Sequence, residues 1–269
     1  MPRVPGKHFL TNLFERRDLL MQLVRRDFER RFIGSAAGWL WGLFHPLATI
    51  GCWTFVFNYS LGQKVPPYQG TENYTLFLLC GFLPWMLFQE TVQRSATALV
   101  ENGNLITKTV FPSELIPVSI FLSSLVNHFL TLSLALVAIA WSGGRLTFHP
   151  LALVGYLLLL GLFSIGISWL VSSLHVFLRD TAQVTVIVLT IWMWMTPIFM
   201  TVNDIKGPLR GVLLRNPLSY VSNAYRDVLL RSVAPSASEF AWLAVSAVAV
   251  FVVGGLVFRQ LKPGFADVL

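Results

Sequence analysis

The residues able to do chemistry in this chain are few and scattered. Cys52 and Cys80 both fall inside uncharged stretches, where small buried hydrophobes are the stronger reading and a disulfide or metal pair the weaker. The five histidines, His8, His45, His128, His149 and His175, share no HExxH or CxxC setting, so no metal or catalytic residue is assigned. A membrane enzyme would need an acid, base or nucleophile cluster converging on one face, and none is visible. No GxxxxGK[ST] phosphate loop exists, because Gly6-Lys7-His8 stands too close to the start to complete one. The charges that remain are Glu90 and Arg94, four apart on one predicted helix, and a basic set that includes Arg26, Arg30 and Arg31. Ion-coupled carriers commonly need intramembrane acids, and nothing midspan serves here. A transporter of this composition must draw its energy from a partner.

The elements that must position these residues are written in the gaps between charges. Six long uncharged stretches cover 34–63, 73–89, 115–144, 146–178, 181–203 and 240–258. A bilayer core about 30 Å thick takes roughly 20 mostly apolar residues per helix, and all six are long enough or nearly so. The stretch 73–89 is the shortest, and gains length if Glu90 and Arg94 face protein or the interface. The expected fold is an all-α polytopic membrane protein with six transmembrane helices. Composition agrees, with 55% hydrophobic and only 12% charged residues, where a soluble domain has about 25% charged. The net charge of +7 suggests nucleic acid only until its distribution is read: eight of the 20 Lys+Arg lie in residues 1–35. A basic segment just before a span reads as a cytoplasmic anchor on anionic lipid. That segment is too charged for a cleavable signal peptide.

Residues 9–33 read as an amphipathic surface helix, with Phe9, Leu13, Leu20, Val24, Phe28 and Phe32 on one face and Asn12 and Glu15 as a capping pair. It is either a plain juxtamembrane anchor or an interfacial helix beside a partner or substrate opening. With both termini cytoplasmic, the inner segments hold 13 Lys+Arg and the outer ones seven, which supports that orientation. Five of the outer seven crowd into 204–239, a segment that also holds Pro208, Pro217 and Pro235 and short apolar runs. Short helices that dip into the outer leaflet fit it, as does an ordinary outer loop; irregular backbone at that depth must be buried in protein or line a wet cavity. The inner segment 98–116 mixes polar residues with Leu99, Leu105, Ile106, Val110 and Phe111. It reads as a short docking helix or as a loop with an apolar underside. The nine Trp, six Tyr and 21 Phe are largely explained by interfacial belts; some instead suit a pore, where an aromatic face offers a platform to a sliding sugar chain.

Several runs carry a family resemblance. Arg26-Asp-Phe-Glu-Arg30-Arg31-Phe-Ile-Gly-Ser-Ala-Ala-Gly38-Trp39-Leu-Trp41-Gly-Leu-Phe-His45-Pro46 resembles the opening of ABC-2 type permeases that export polysaccharides. Gly81-Phe-Leu-Pro84-Trp85 resembles their span-2 motif, and Glu101-Asn102-x-Asn104-Leu105-Ile106-x-Lys108-x-x-Phe111-Pro112 their coupling segment. Phe177-Leu-Arg179-Asp180 and Thr196-Pro197-Ile198 are similar to the span-4/5 turn and the end of span 5. Asn216-Pro217-Leu218 with Arg226-Asp227 is similar to the outer re-entrant region. His45 departs from the pattern, where Asn is common.

The resemblance implies one ABC-2 type transmembrane domain over 1–269: a cytoplasmic or interfacial helix at 1–33, a coupling segment at 98–116 and an outer re-entrant region at 204–239. It implies a permease homodimer joined to two copies of a separate ATP-binding subunit, which binds ATP and Mg, so that this chain is no enzyme and holds no cofactor. The substrate implied is a lipid-linked, O-antigen-like polysaccharide, moved across a bacterial inner membrane. ATPase coupling falls to Glu101, Asn104, Leu105, Ile106, Lys108 and Phe111. Arg26, Arg30 and Arg31 would admit the lipid pyrophosphate, with lipid anchoring as their plain alternative. Trp39, Trp41, Phe55, Phe57, Tyr59, Trp192, Trp194 and Phe199 would supply channel aromatics. An ABC-2 exporter of a small lipid or drug, and a membrane-embedded glycan transferase, are the competing readings.

Overall fold

The computed structural model describes residues 16–32, 36, 38–108, 111–143, 150–204, 207–231, 233, 234 and 236–269, without the side chains of Phe32, Lys108, Asn203 and Leu209. The capping pair expected at Asn12 and Glu15 lies outside the described residues. Helix α1 (Arg17–Phe32) rests on the bundle through buried Leu20 and its neighbours Leu19 and Leu23. A 3-10 turn, Gly38–Leu40, opens α2 (Trp41–Thr54), which runs on into a π-helical stretch, Phe55–Ser60. Then follow α3 (Tyr74–Glu101), the short α4 (Gly103–Lys108), α5 (Leu115–Trp141), α6 (Pro150–Phe177) and α7 (Thr181–Trp194). The last part holds α8 (Pro208–Leu213), α9 (Pro217–Arg226) with a π-helical extension Asp227–Arg231, α10 (Ala237–Leu261) and a final turn, α11 (Phe265–Val268).

Among the described residues five helical runs are long and apolar enough to cross a bilayer: Gly38–Ser60, Tyr74–Glu101, Leu115–Trp141, Pro150–Phe177 and Ala237–Val268. With the shorter apolar α7, they make an all-α polytopic membrane protein. Two stretches depart from their expected lengths, in opposite directions. The run 73–89 becomes a helix of 28 residues, because Glu90 and Arg94 face protein and do not end it. The run 181–203 is helical only over Thr181–Trp194, about 21 Å at 1.5 Å per residue. Pro197 stops it: proline gives no N–H and pushes the preceding residue out of the helical region. Residues 196–199 continue as buried, non-helical chain.

Helix α3 is the column of the fold. Its most apolar window is 78% buried, against 28% for Gly38–Ser60 and 17% for Ala237–Val268, and α5, α6, α7 and α9 all pack on it. Asn73 fixes its start, the side-chain oxygen accepting from the N–H of Thr75 at 2.9 Å and of Leu76 at 3.4 Å. Helices α6 and α10 cross where small residues let backbones meet. A Cβ at Gly254 would collide with the carbonyl of Gly166, and one at Gly166 would lie 2.7 Å from the carbonyl oxygen of Val250. Lipid tails are as apolar as Leu, so close packing of this kind holds spans together where burial from water does not. Helix α9 enters the bundle without crossing it. Its buried face includes Leu218, Val221, Ala224 and Tyr225, and the Tyr225 hydroxyl lies 3.0 Å from Nε2 of His128, near the middle of α5. Of the two forms expected for 204–239, short helices or an ordinary loop, the described residues take the helical one.

Candidate functional site

Where α3 finishes, α1 crosses it with two charged stripes. Asp27 and Arg31 stand one turn apart on α1, and Glu90 and Arg94 one turn apart on α3. The order pairs them antiparallel: Arg94 Nη2 donates to both oxygens of Asp27 at 2.7 and 2.8 Å, and Arg31 donates to Glu90. Arg94 and Glu90 approach at 3.7 Å, closing a quartet of alternating charge. Its side chains keep only 19–28% of their exposure, so screening by water is reduced. Glu90 also accepts from Ser124 at 3.1 Å and Asn127 at 3.3 Å on α5.

The neighbouring stripe of α1 is Arg26 and Arg30. Both line a cavity of about 270 Å³ between α1, α3 and α5, together with Asp27, Arg31, Arg94, Thr97, Glu101 and Asn102. Arg31 and Arg94 already answer carboxylates. Among the described residues Arg26 and Arg30 make no ion pair; set against the one further carboxylate in the lining, Glu101, they leave the cavity an excess of positive charge. Pockets that hold drug-sized ligands run about 300–1,000 Å³; this one has room for a small anionic group and no more. The three arginines named from sequence are thus brought together. Sequence reading singled out Glu90 and Arg94 but not Asp27, Ser124 or Asn127, and the one available signal was the matching four-residue spacing of Asp27/Arg31 and Glu90/Arg94.

Beside the cavity, Asn102 interrupts the helix, its Nδ2 donating to the Ala98 carbonyl at 2.9 Å, and α4 turns away. Glu101, Asn104 and Thr107 are exposed, and Leu105 and Ile106 half-buried. Ile106 and Phe111 pack on the core; the Lys108 side chain lies outside the described residues. The chain after α10 braces this corner. Lys262 Nζ donates to Glu114 at 2.5 Å, and buried Phe265 packs edge-on to Phe258 and at a tilt to Phe177. Sequence reading gave this segment no role.

At the other end the broken end of α7 is fastened by side chains from elsewhere. Asn216 Nδ2 donates to the Met195 carbonyl and to Thr196 Oγ1, both at 3.0 Å, while its Oδ1 accepts from Trp192 Nε1 at 3.0 Å and from the Leu218 N–H at 3.1 Å. Arg226, 1% exposed, donates to the carbonyls of Phe77 at 3.2 Å, Pro197 at 2.8 Å and Ile198. Its guanidinium lies 3.8 Å from the centroid of the Phe77 ring, and a Cβ on Gly81 would collide with it. The Tyr74 hydroxyl donates to the Phe199 carbonyl at 2.8 Å. Carbonyls freed where a helix stops must find donors, and four of them find these. The runs around Gly81, Pro197, Asn216 and Arg226, far apart in sequence, meet here.

The aromatic candidates divide. Phe57, Trp194 and Phe199 form one cluster with Trp53, ring centroids 4.7–6.4 Å apart. Trp192 turns instead to Phe88 and Phe163. Phe55 and Tyr59 are exposed on the π-helical stretch, and Trp39 and Trp41 are exposed at the opposite end of the same span. Trp53 was the member missed from sequence.

Over residues 18–230 the chain matches the family model described as ABC-2 type transporter. It is 26% identical over 257 residues to the O-antigen export system permease protein RfbA of Myxococcus xanthus, covering 95% of this chain and 96% of that one. It is 26% identical over 257 residues to the protein of the same description from Klebsiella pneumoniae, covering 94% and 95%. It is 23% identical over 242 residues to the polysialic acid transport protein KpsM of Escherichia coli, covering 88% and 91%. The matched residues take in α1, the basic cavity, α4 and both sides of the fastened break, and the chain belongs to the ABC-2 type transporter family.

Proposed function

We propose that this chain is the membrane-spanning permease subunit of an ATP-driven exporter. It moves a lipid-linked, O-antigen-like polysaccharide across the bacterial inner membrane, with both termini cytoplasmic. ATP and Mg are bound by a separate partner subunit that docks at α4, and a second copy of this chain completes the path. The observation that carries the reading is the basic cavity under α1. It offers two guanidiniums without ion-pair partners, Arg26 and Arg30, against the single further carboxylate of Glu101, and its size suits a pyrophosphate group better than a sugar chain. The polymer itself then follows the aromatic surfaces of span 1 and α7, where apolar C–H faces of sugars are held weakly and without fixed hydrogen bonds. Full-length similarity to polysaccharide export permeases supports the same reading.

The test is reconstitution with an ATP-binding subunit in cells whose own O-antigen permease is deleted. Surface polymer should require both chains and an intact nucleotide site in the partner. Arg26→Gln with Arg30→Gln should lower export about tenfold or more, since losing charge-assisted contacts worth about 1.5–3 kcal/mol each corresponds to such a factor. Export without any ATP-binding subunit, or transfer of a small lipid with no polymer, would overturn the proposal.

A further inference from the structure

Asn216 and Arg226 have more bonds than a loop residue needs. Between them they satisfy the carbonyls of Met195, Pro197 and Ile198, the Trp192 indole N–H and the start of α9. Arg226 joins the same set to α3 through the Phe77 carbonyl and ring. Its charge is fully buried, and its hydrogen bonds go to neutral carbonyls; the neighbouring Asp227 is hydrogen-bonded to Arg231 at 2.7 Å. A buried cation is costly unless its donors are all placed. Only a planar fork serves three carbonyls on two elements at once. Gly81 on α3 leaves the socket that the fork fills. By contrast, span 1 meets this unit near the break through ring contacts of Trp53 and Phe57.

We propose that Asn216 and Arg226 are positioning residues for export: they lock the broken end of α7, helix α9 and the start of α3 into one rigid wall. That wall presents the exposed Trp194 to the transported chain, with the buried ring of Phe199 stacked beneath it. The inference rests on the reading of the aromatic surface as the polymer path. A helix that simply ended there would leave Trp194 without the fixed ring of Phe199 behind it, and that freedom would cost ordering at every step of a repeating polymer. The clamp removes that freedom in advance, as preorganisation does in a binding site.

The experiment compares Gly81→Ala, Arg226→Lys and Asn216→Asp with the unaltered chain, each in complex with its ATP-binding subunit. Gly81→Ala is the sharpest, because it displaces the guanidinium without removing it. Arg226→Lys keeps the charge but loses the fork, and Asn216→Asp keeps the cap on Leu218 but loses both donors. Three quantities are read: permease level in the membrane, ATP hydrolysis per complex and surface polymer. Expected are levels and hydrolysis within about twofold of the parent, with polymer down about tenfold in Gly81→Ala and Arg226→Lys. Such uncoupling is not what a merely structural role produces, since loss of folded protein lowers all three together. If polymer falls only as permease level falls, or if both variants export normally, the inference is overturned. Trp194→Ala separates the two readings. Should it be silent while Gly81→Ala is uncoupled, the aromatic path fails and the rigid wall stands.

Discussion

Glu90 accepts from Arg31, Ser124 and Asn127 at once, so its carboxylate is spent on holding helices. The quartet it belongs to sets the rotation of α1: with Asp27 and Arg31 turned to α3, Arg26 and Arg30 fall on the cavity. Asp27→Asn should strand Arg94, whose Nη1 already has no hydrogen bond, at about 1–3 kcal/mol. Arg94→Gln should cost a similar amount, while the double variant loses less than the two together. Thermal midpoints of the four proteins in one detergent give the coupling directly, and full additivity would show that the pair does not hold α1. A charge reversal is a poorer probe, because it sets like charges one turn apart on each helix. From sequence, Glu90, Arg94, Arg26, Arg30 and Arg31 were all legible as charges near a boundary. Their partners were not, because pairing depends on how two distant helices cross. Arg226 shows the same limit. It counted as one of five misplaced outer cations, and only the fold reveals that it is internal.

At the scale of elements, the spans were legible because charge is excluded from lipid wherever it has no partner. The longer α3, expected if Glu90 and Arg94 face protein, and the shorter α7 both follow from exceptions to that rule. Paired charges let α3 continue past Glu90, and a proline that is not charged ends α7 early. The region of α9 was expected to hold short helices dipping into the outer leaflet, or an ordinary loop, because it is cationic yet apolar and too short to span. Helix α4 was expected as a docking surface with Leu105 and Ile106 as anchors. The fold turns Ile106 and Phe111 toward the bundle and Glu101, Asn104 and Thr107 away. Cysteines at Asn104 and Thr107 should therefore crosslink to the ATP-binding subunit, and one at Ile106 should not. Ile106→Asp should lower permease level, since a carboxylate set against apolar neighbours is costly, before it affects docking. Strong crosslinking from Ile106 with none from Asn104 would mean that α4 turns over when the partner binds.

For the whole molecule, burial divides the spans into a centre and two unlike margins. The window of Ala237–Val268 is 17% buried and that of Gly38–Ser60 is 28% buried, yet their exposed residues differ in kind. Beyond Phe240 and Trp242 near its start, the last span shows Val245, Val248, Val252, Val253 and Leu256, with Gly254 and Ala247 turned inward against the bundle. Along most of its length that is the composition of a lipid face, smooth and aliphatic. Span 1 shows Trp39, Trp41, Phe44, Phe55 and Tyr59, and beside it α7 shows Val184, Ile187, Val188, Ile191 and Trp194. Large rigid rings with polar edges are favoured where a surface meets a partner or a wet path. Helix α7 also buries only Thr185 and Leu189 along its whole length, too little to hold a 14-residue helix against one bundle. A second copy placed against span 1 and α7 would complete that burial and enclose the aromatics, whereas contact through the last span would leave them in lipid. In a chain with Cys52 and Cys80 replaced by Ala, Ile187→Cys or Leu47→Cys should give dimers under mild oxidation in native membranes, at least several-fold above Val248→Cys or Val252→Cys. Dimers that form through the last span instead would place the two copies back to back, and the path for a polymer would then have to lie within a single chain.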